Sequence, residues 1–438
     1  MARSGRRGAY GCASLLAACV ATATAEPAVF DYAVSAGADY SDNVGLTAVN
    51  QKSSVSAVAG LDLYAKRPTG RFQYLASGDL SYYHYFAGGF PSQLYGQLNA
   101  STTYDIIPGA FQWMAAGSYG QARQDLLQPA APGNLQNIIN LSTGPTLTAH
   151  IGQALEATLN AQVSTQRYSK LGNDNTTVGG QFVLGHRSSA TTLLAIGESY
   201  DNVTYSGRGS IGAVAYKRNE TFLRYNTQFL RTLISADVGY AKITGANRNS
   251  KGPLARVRAS RRLTPFLSAF VDYHQEYPTS QAYTTAIPVG VNLNPIDASA
   301  LTSAPRLSKN ASAGLLFAWP RTSIDLTFNH LNEAAALGVQ GQRAVDVISG
   351  RVTRALSPRS SAGLYASYTS EDVPFLALKD HEQSVGAELS FSLGGSLSLD
   401  IKAGHRNRSS SITFNSYSEL DGGIALRYGR VRQPLTLQ

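Results

Sequence analysis

The chain alternates. From Tyr417 to Tyr428 the residues Leu420, Gly422, Ile424, Leu426 and Tyr428 fall on one face of an extended strand, and Glu419, Asp421, Ala425 and Arg427 fall on the other. Side chains of a strand point to opposite sides in turn, so this pattern describes a ribbon with one apolar and one charged face. A dozen residues is long for a core strand, but it suits a strand with lipid on one side and water on the other. Near the N-terminus, Phe30, Tyr32, Val34, Ala36, Ala38 and Tyr40 oppose Asp31, Ser35, Gly37 and Asp39, with aromatic residues at both ends of the apolar face. The next strand opposes Val55, Ala57, Ala59, Leu61 and Leu63 to Ser56, Gly60 and Asp62, and runs into the turn Lys66 to Gly70.

That unit of long loop, strand, short turn and strand repeats along the chain. Short turns are predicted at Ile107 to Gly109, His150 to Gly152, Arg187 to Ser189, Phe229 to Arg231, Thr264-Pro265, Pro320-Arg321, Ser357 to Arg359 and Leu393 to Gly395. With the first turn they make about nine, which implies about ten hairpins and about 20 antiparallel strands, within a range of about 16 to 20. Longer connections alternate with them, among them Gln121 to Asn137, Asp201 to Ala215 and Pro278 to Pro305. The fold expected is all-β: a single antiparallel transmembrane β-barrel with short periplasmic turns and longer extracellular loops. Thr191 to Tyr200 and Ala344 to Leu356 alternate poorly. A soluble sandwich or propeller would need shorter strands, or a signature repeated in each blade, and the sequence has neither.

Composition agrees with a barrel. Of 438 residues 43% are hydrophobic and only 15% charged, with 24 Tyr and 41 Gly. Mean hydropathy is −0.14, too polar for a helical membrane protein but natural when only alternate strand residues face lipid. The N-terminus reads as an export signal over residues 1–25: Arg3, Arg6 and Arg7, an apolar run from Ala9 to Val20, then Ala23-Thr24-Ala25. Residues 26–438 are then the barrel. Both cysteines, Cys12 and Cys19, lie in the signal, so the mature chain has no thiol chemistry. Leu16-Ala17-Ala18-Cys19 also resembles a lipobox, which leaves lipidation at Cys19 as the alternative to simple cleavage. Losing the three arginines takes the net charge from +9 to about +6. With no Lys/Arg run and no recognition-helix pattern, nucleic acid is not expected as a partner.

The closing segment, with Gly423, Leu426 and Tyr428, resembles the C-terminal assembly signal of bacterial outer-membrane barrels. Ser41-Asp42-Asn43-Val44, Pro132-Gly133-Asn134-Leu135-Gln136 and Gly144-Pro145, together with the barrel layout, resemble the EpsL-like outer-membrane barrels of exopolysaccharide gene clusters. The resemblance implies a bacterial outer-membrane location and a channel for exopolysaccharide export. The partners it implies are membrane lipid, the polysaccharide and a periplasmic export component. It brings no catalytic residues and no cofactor. A general or solute-specific porin is the alternative, and a barrel-embedded envelope hydrolase a more remote one.

Candidate chemistry lies in the basic residues. Arg256, Arg258, Ser260 and Arg262 share the face opposite Ala255, Val257 and Leu263, which makes that face the lumen, and Arg224 is expected to point the same way. Two readings stand side by side. In one, these arginines attract carboxylates on a passing polymer or solute. In the other they pair with Asp237 and Asp272 on flanking strands and keep the lumen solvated. Tyr83, Tyr85, Tyr95 and Tyr365 are candidates for stacking against sugar rings. The match of Gly207 to Gly212 to a dinucleotide-binding pattern sits in a predicted loop, whereas such a site needs a strand before it and a helix after it. Seven scattered histidines show no ligand spacing, and hydrolase chemistry would require His274 or His381 to meet a serine and a carboxylate at the rim.

Overall fold

A computed structural model describes residues 28–430 apart from 88, 126–127, 171–173, 207–214, 246–247, 279–304 and 337–340. The export signal, the glycine motif at Gly207 to Gly212 and nearly all of the Pro278 to Pro305 connection therefore lie outside the described residues.

Twenty strands form one sheet. In order they are β1 Val29–Ser41, β2 Ser54–Arg67, β3 Phe72–Tyr85, β4 Gln93–Ile107, β5 Phe111–Arg123, β6 Leu135–Ile151 and β7 Leu155–Tyr168. Next come β8 Asn175–Ser189, β9 Thr192–Tyr205, β10 Tyr216–Phe229, β11 Thr232–Gly245, β12 Asn249–Arg262 and β13 Leu267–Glu276. The rest are β14 Arg306–Ala318, β15 Thr322–Ala335, β16 Gln342–Ser357, β17 Ser360–Val373, β18 Leu378–Gly394, β19 Leu397–Ser410 and β20 Tyr417–Arg430. Each strand pairs antiparallel with the next, and β1 pairs with β20 from Tyr32 opposite Arg430 to Ser41 opposite Asp421. The sheet is thus a closed barrel, the arrangement that leaves no unpaired strand edge in hydrocarbon.

The register keeps like faces together. At the closing pair Val34 meets Tyr428, Ala36 meets Leu426 and Ala38 meets Ile424, so the apolar faces of the first and last strands run on without a break. Leu159, Phe182, Ile196, Leu223, Val238, Val271, Ile348, Leu364 and Ile424 stand exposed on the outside. Exposed aromatics edge this band: Phe30, Trp113, Phe229, Trp319 and Tyr428 toward the short turns, and Tyr40, Tyr82, Tyr200 and Tyr240 toward the long connections. An apolar outer belt rimmed by aromatics around a polar interior is the solution to a lipid exterior, and the protein is an outer-membrane β-barrel. A bilayer requires only about 9 to 11 tilted residues per strand, so the ends of most strands project into water.

All nine short turns fall where alternation stopped, at or within a few residues of the predicted positions. The longer connections are shorter than expected on two sides: β5 runs on to Arg123 and β9 to Tyr205, because ladder hydrogen bonding continues beyond the membrane. The two irregular stretches are complete strands. In β9 the inner positions Ala195 and Val203 are apolar because they join Phe222, Ala241, Ile243 and Leu254 in a buried inward cluster, and this erases the contrast between faces. Gly197 permits it: a β-carbon there would sit 2.4 Å from the ring of Phe222. In β16 Asp346 points outward, accepted into the polar upper belt by a 2.7 Å contact with His330 Nδ1.

The Ser41-Asp42-Asn43 turn has a structural task at the seam. Asn43, fully buried, donates from Nδ2 to the carbonyls of Thr47 (2.9 Å) and Ser418 (3.0 Å) and accepts from the Thr47 amide (3.1 Å). Asp42 accepts the Leu420 amide at 2.8 Å, and the Ser41 hydroxyl donates to Glu419 at 2.7 Å. These bonds lace the first loop to the last strand. Asn43→Ala removes all three of these bonds and leaves a small void where the buried amide stood, and is expected to cost about 1 to 3 kcal/mol. A fall of that size in urea unfolding, followed by heat-modifiable gel mobility, is the check; an unchanged midpoint would deny the seam its lacing.

Candidate pore wall and mouth

The inner faces of β9 to β13 carry a continuous ion-pair network. Arg224 donates from Nε and Nη2 to the two oxygens of Asp237, each at 2.8 Å, and its guanidinium lies 5.0 Å from the ring centre of Phe222. Arg256 donates to Glu220 at 2.8 Å and Glu276 at 2.5 Å, and lies 4.0 Å from Asp237. Arg258 is 4.0 Å from Asp272. Arg218, which sequence reasoning missed, donates to Asp201 at 2.6 Å and to the Tyr277 carbonyl at 2.8 Å, with Glu220 at 3.3 Å. Arg262 stands apart from the network, exposed at the turn end of β12.

The strands set this geometry directly. Arg224 and Asp237 are opposite in register, as are Asp237 and Arg256, and Arg258 and Asp272. Four arginines (218, 224, 256 and 258) face five carboxylates (Asp201, Glu220, Asp237, Asp272 and Glu276). The patch therefore neutralises itself instead of presenting a row of free guanidinium groups, and such pairing is what a partly desolvated charge requires. The same economy recurs round the wall: Arg427 bridges Asp62 and Asp400, Arg351 meets Glu388, Lys402 lies 2.7 Å from Asp39, and Arg187 lies 2.9 Å from Glu156.

His274 is held between Asp272 and Glu276. His381 is on the outer face, where Nδ1 contacts the Tyr368 hydroxyl at 3.0 Å. Neither contact supplies the serine and carboxylate together that a hydrolytic relay needs. Among the described residues no cluster of His, Cys, Asp and Glu is arranged to hold a metal ion.

Three of the candidate tyrosines are brought together. Tyr83 meets Tyr95 edge-on at 5.2 Å and stacks with Tyr85 at 6.1 Å, the Tyr85 and Tyr95 hydroxyls are 3.0 Å apart, and Tyr83 donates to Asp39 at 2.9 Å. Tyr365 is elsewhere, its ring laid on the backbone of Gly386, where a β-carbon would come within 2.2 Å of it.

The extracellular mouth holds a contact that alternation could not foretell. Arg123, at the end of β5, donates at 3.0 Å to Glu371 on β17, eight strands away round the sheet. Glu371 also accepts from Arg343 at 2.7 Å, and Arg343 lies 3.7 Å from Glu333. All four side chains are buried. The neighbouring connection is folded by Asn134, whose Nδ2 reaches the carbonyls of Asp125 (2.8 Å) and Pro129 (2.9 Å). The Pro132-Gly133-Asn134 motif thus shapes the segment beside Arg123, and a bridge of charges spans the mouth.

No family model matches the chain. No curated protein matches it either. Several solved outer-membrane structures are similar in fold. The FrpB iron transporter of Neisseria meningitidis shares 9% identity over 91% of this chain and 82% of its own, with a TM-score of 0.46. The siderophore receptor PirA of Acinetobacter baumannii shares 8% over 92% and 81%, also at 0.46, and PirA of Pseudomonas aeruginosa shares 11% over 91% and 80%, at 0.42. At these values the likeness says nothing about cargo.

Proposed function

We propose that this barrel is a passive conduit for an exported exopolysaccharide, the role implied by the EpsL-like resemblance. The observation that carries the reading is the self-neutralised inner wall. A polymer in transit needs width and many weak polar contacts, and it stalls on strong ones. Barrels of 16 to 18 strands already leave an aqueous channel, so a barrel of 20 has the width. Paired ions and the hydroxyls of Tyr83, Tyr85 and Tyr95 offer hydrogen bonds and ring faces without a strong net field. The arginines are then wall structure, not a hold for an acidic polymer.

One observation favours a solute-specific porin instead: the Arg123–Glu371 bridge joins β5 to β17 at the mouth. Planar-bilayer recordings separate the two. A conduit gives brief current blocks with long neutral and acidic polysaccharides alike, with little dependence on salt. A solute porin gives saturable block by one small solute and excludes the polymers, and that outcome would overturn the conduit.

A further inference from the structure

The outer faces of β10 to β14 treat charge differently from their inner faces. Inside, Arg218, Arg224, Arg256 and Arg258 are matched with carboxylates. Outside, at the extracellular end, stand Lys217, Lys242, Lys251 and Lys309, all exposed, with no carboxylate on the outward face of these five strands. Among the described residues none of the four has an acidic partner within ion-pair distance, and the nearest outward acid by strand order, Glu198 on β9, is opposite Thr221, below their level. Lys242 and Lys251 are directly opposite in register, and Lys217 is diagonal to Lys242, opposite Thr244. Two like charges in a facing pair repel unless an anion lies between them. Their height is equally specific. Lys242 follows Tyr240 on the same face, and Tyr240 belongs to the upper aromatic edge of the apolar band. The next level outward is that of the lipid headgroups.

We propose that Lys217, Lys242 and Lys251 form a binding site for a phosphate-bearing lipid headgroup of the outer leaflet. Charge complementarity and position together choose the lipid: the ammonium groups crown an apolar wall that acyl chains cover, so a headgroup is delivered to them with its tails already seated. Lysine suits the place, because its long stem lies along apolar surface while its ammonium reaches the phosphate layer. A bridging phosphate would turn the Lys242–Lys251 repulsion into shared attraction.

The test uses the full barrel, folded in a nonionic detergent, titrated with bisphosphorylated lipid A, with its dephosphorylated form, and with inorganic phosphate. The wild type is expected to bind bisphosphorylated lipid A, to bind the dephosphorylated form on the order of a hundred-fold more weakly, and to be indifferent to millimolar phosphate. The variant Lys217→Ser, Lys242→Ser, Lys251→Ser should lose affinity to a similar degree, and the matching Lys→Arg variant should keep it, with heat-modifiable mobility certifying that each is folded. Equal binding of the two lipid forms by the wild type overturns the proposal without any variant. So does undiminished binding by the folded serine variant, or competition by inorganic phosphate, which would mark a free-anion site.

Discussion

Ile424→Arg is expected to destabilise the barrel by about 2 to 4 kcal/mol, the cost of a cation near the middle of the lipid face. Ile424 is exposed on the outside of β20, between the aromatic edges marked by Tyr40 and Tyr428, and is opposite Ala38 on β1 and Ile401 on β19. No acid shares its outward surroundings on these three strands until the seam residues at the extracellular end. The same substitution at Thr103, on the inner face of β4 opposite Gln73 and Met114, keeps the guanidinium in water and should cost less than about 0.5 kcal/mol. Urea unfolding in lipid vesicles measures both. Equal losses would mean that the face assignment of β20 is wrong. Since β20 also closes the cylinder, the outer variant should in addition assemble more slowly.

Removing the carboxylate of Glu371 should have a still larger effect. Arg123 and Arg343 both donate to it, and all three side chains are buried, so Glu371→Ala leaves two guanidinium groups short of a counter-charge. Breaking a buried ion pair in this way costs about 3 to 5 kcal/mol. Arg123→Ala is the milder counterpart: it cuts the arm that crosses the mouth and leaves Glu371 with Arg343. Both variants are expected to raise single-channel conductance, Arg123→Ala with the smaller loss of stability. An unchanged conductance in Arg123→Ala would show that the bridge does not restrict passage.

How much of this could be read from the sequence follows from what strands transmit. Alternation is a local property, so the number of strands, their faces and the short turns were legible wherever one face met lipid and the other water. It failed to mark β9 and part of β16, where inward positions are apolar or an outward one is acidic. Facing pairs such as Arg224 with Asp237 were within reach because hairpin register follows from turn position. Contacts across the interior were not: nothing in the spacing of residues 123, 343 and 371 records that a closed sheet and an Asn134-organised loop bring them together. The inward aromatics divided likewise. Tyr83, Tyr85 and Tyr95 lie on neighbouring strands and meet, whereas Tyr365 is fixed on Gly386.

The central claim, that a polysaccharide leaves the cell through this barrel, is tested most directly by the amount of polysaccharide secreted by a clean deletion strain, compared with the same strain carrying the intact gene. The account predicts that secretion is lost in the deletion, is restored by the wild type, and is also restored by Arg256→Ala, Arg258→Ala, Arg262→Ala if that variant folds, because no free arginine ladder is needed to hold the polymer. Secretion at the wild-type level from the deletion strain would contradict it.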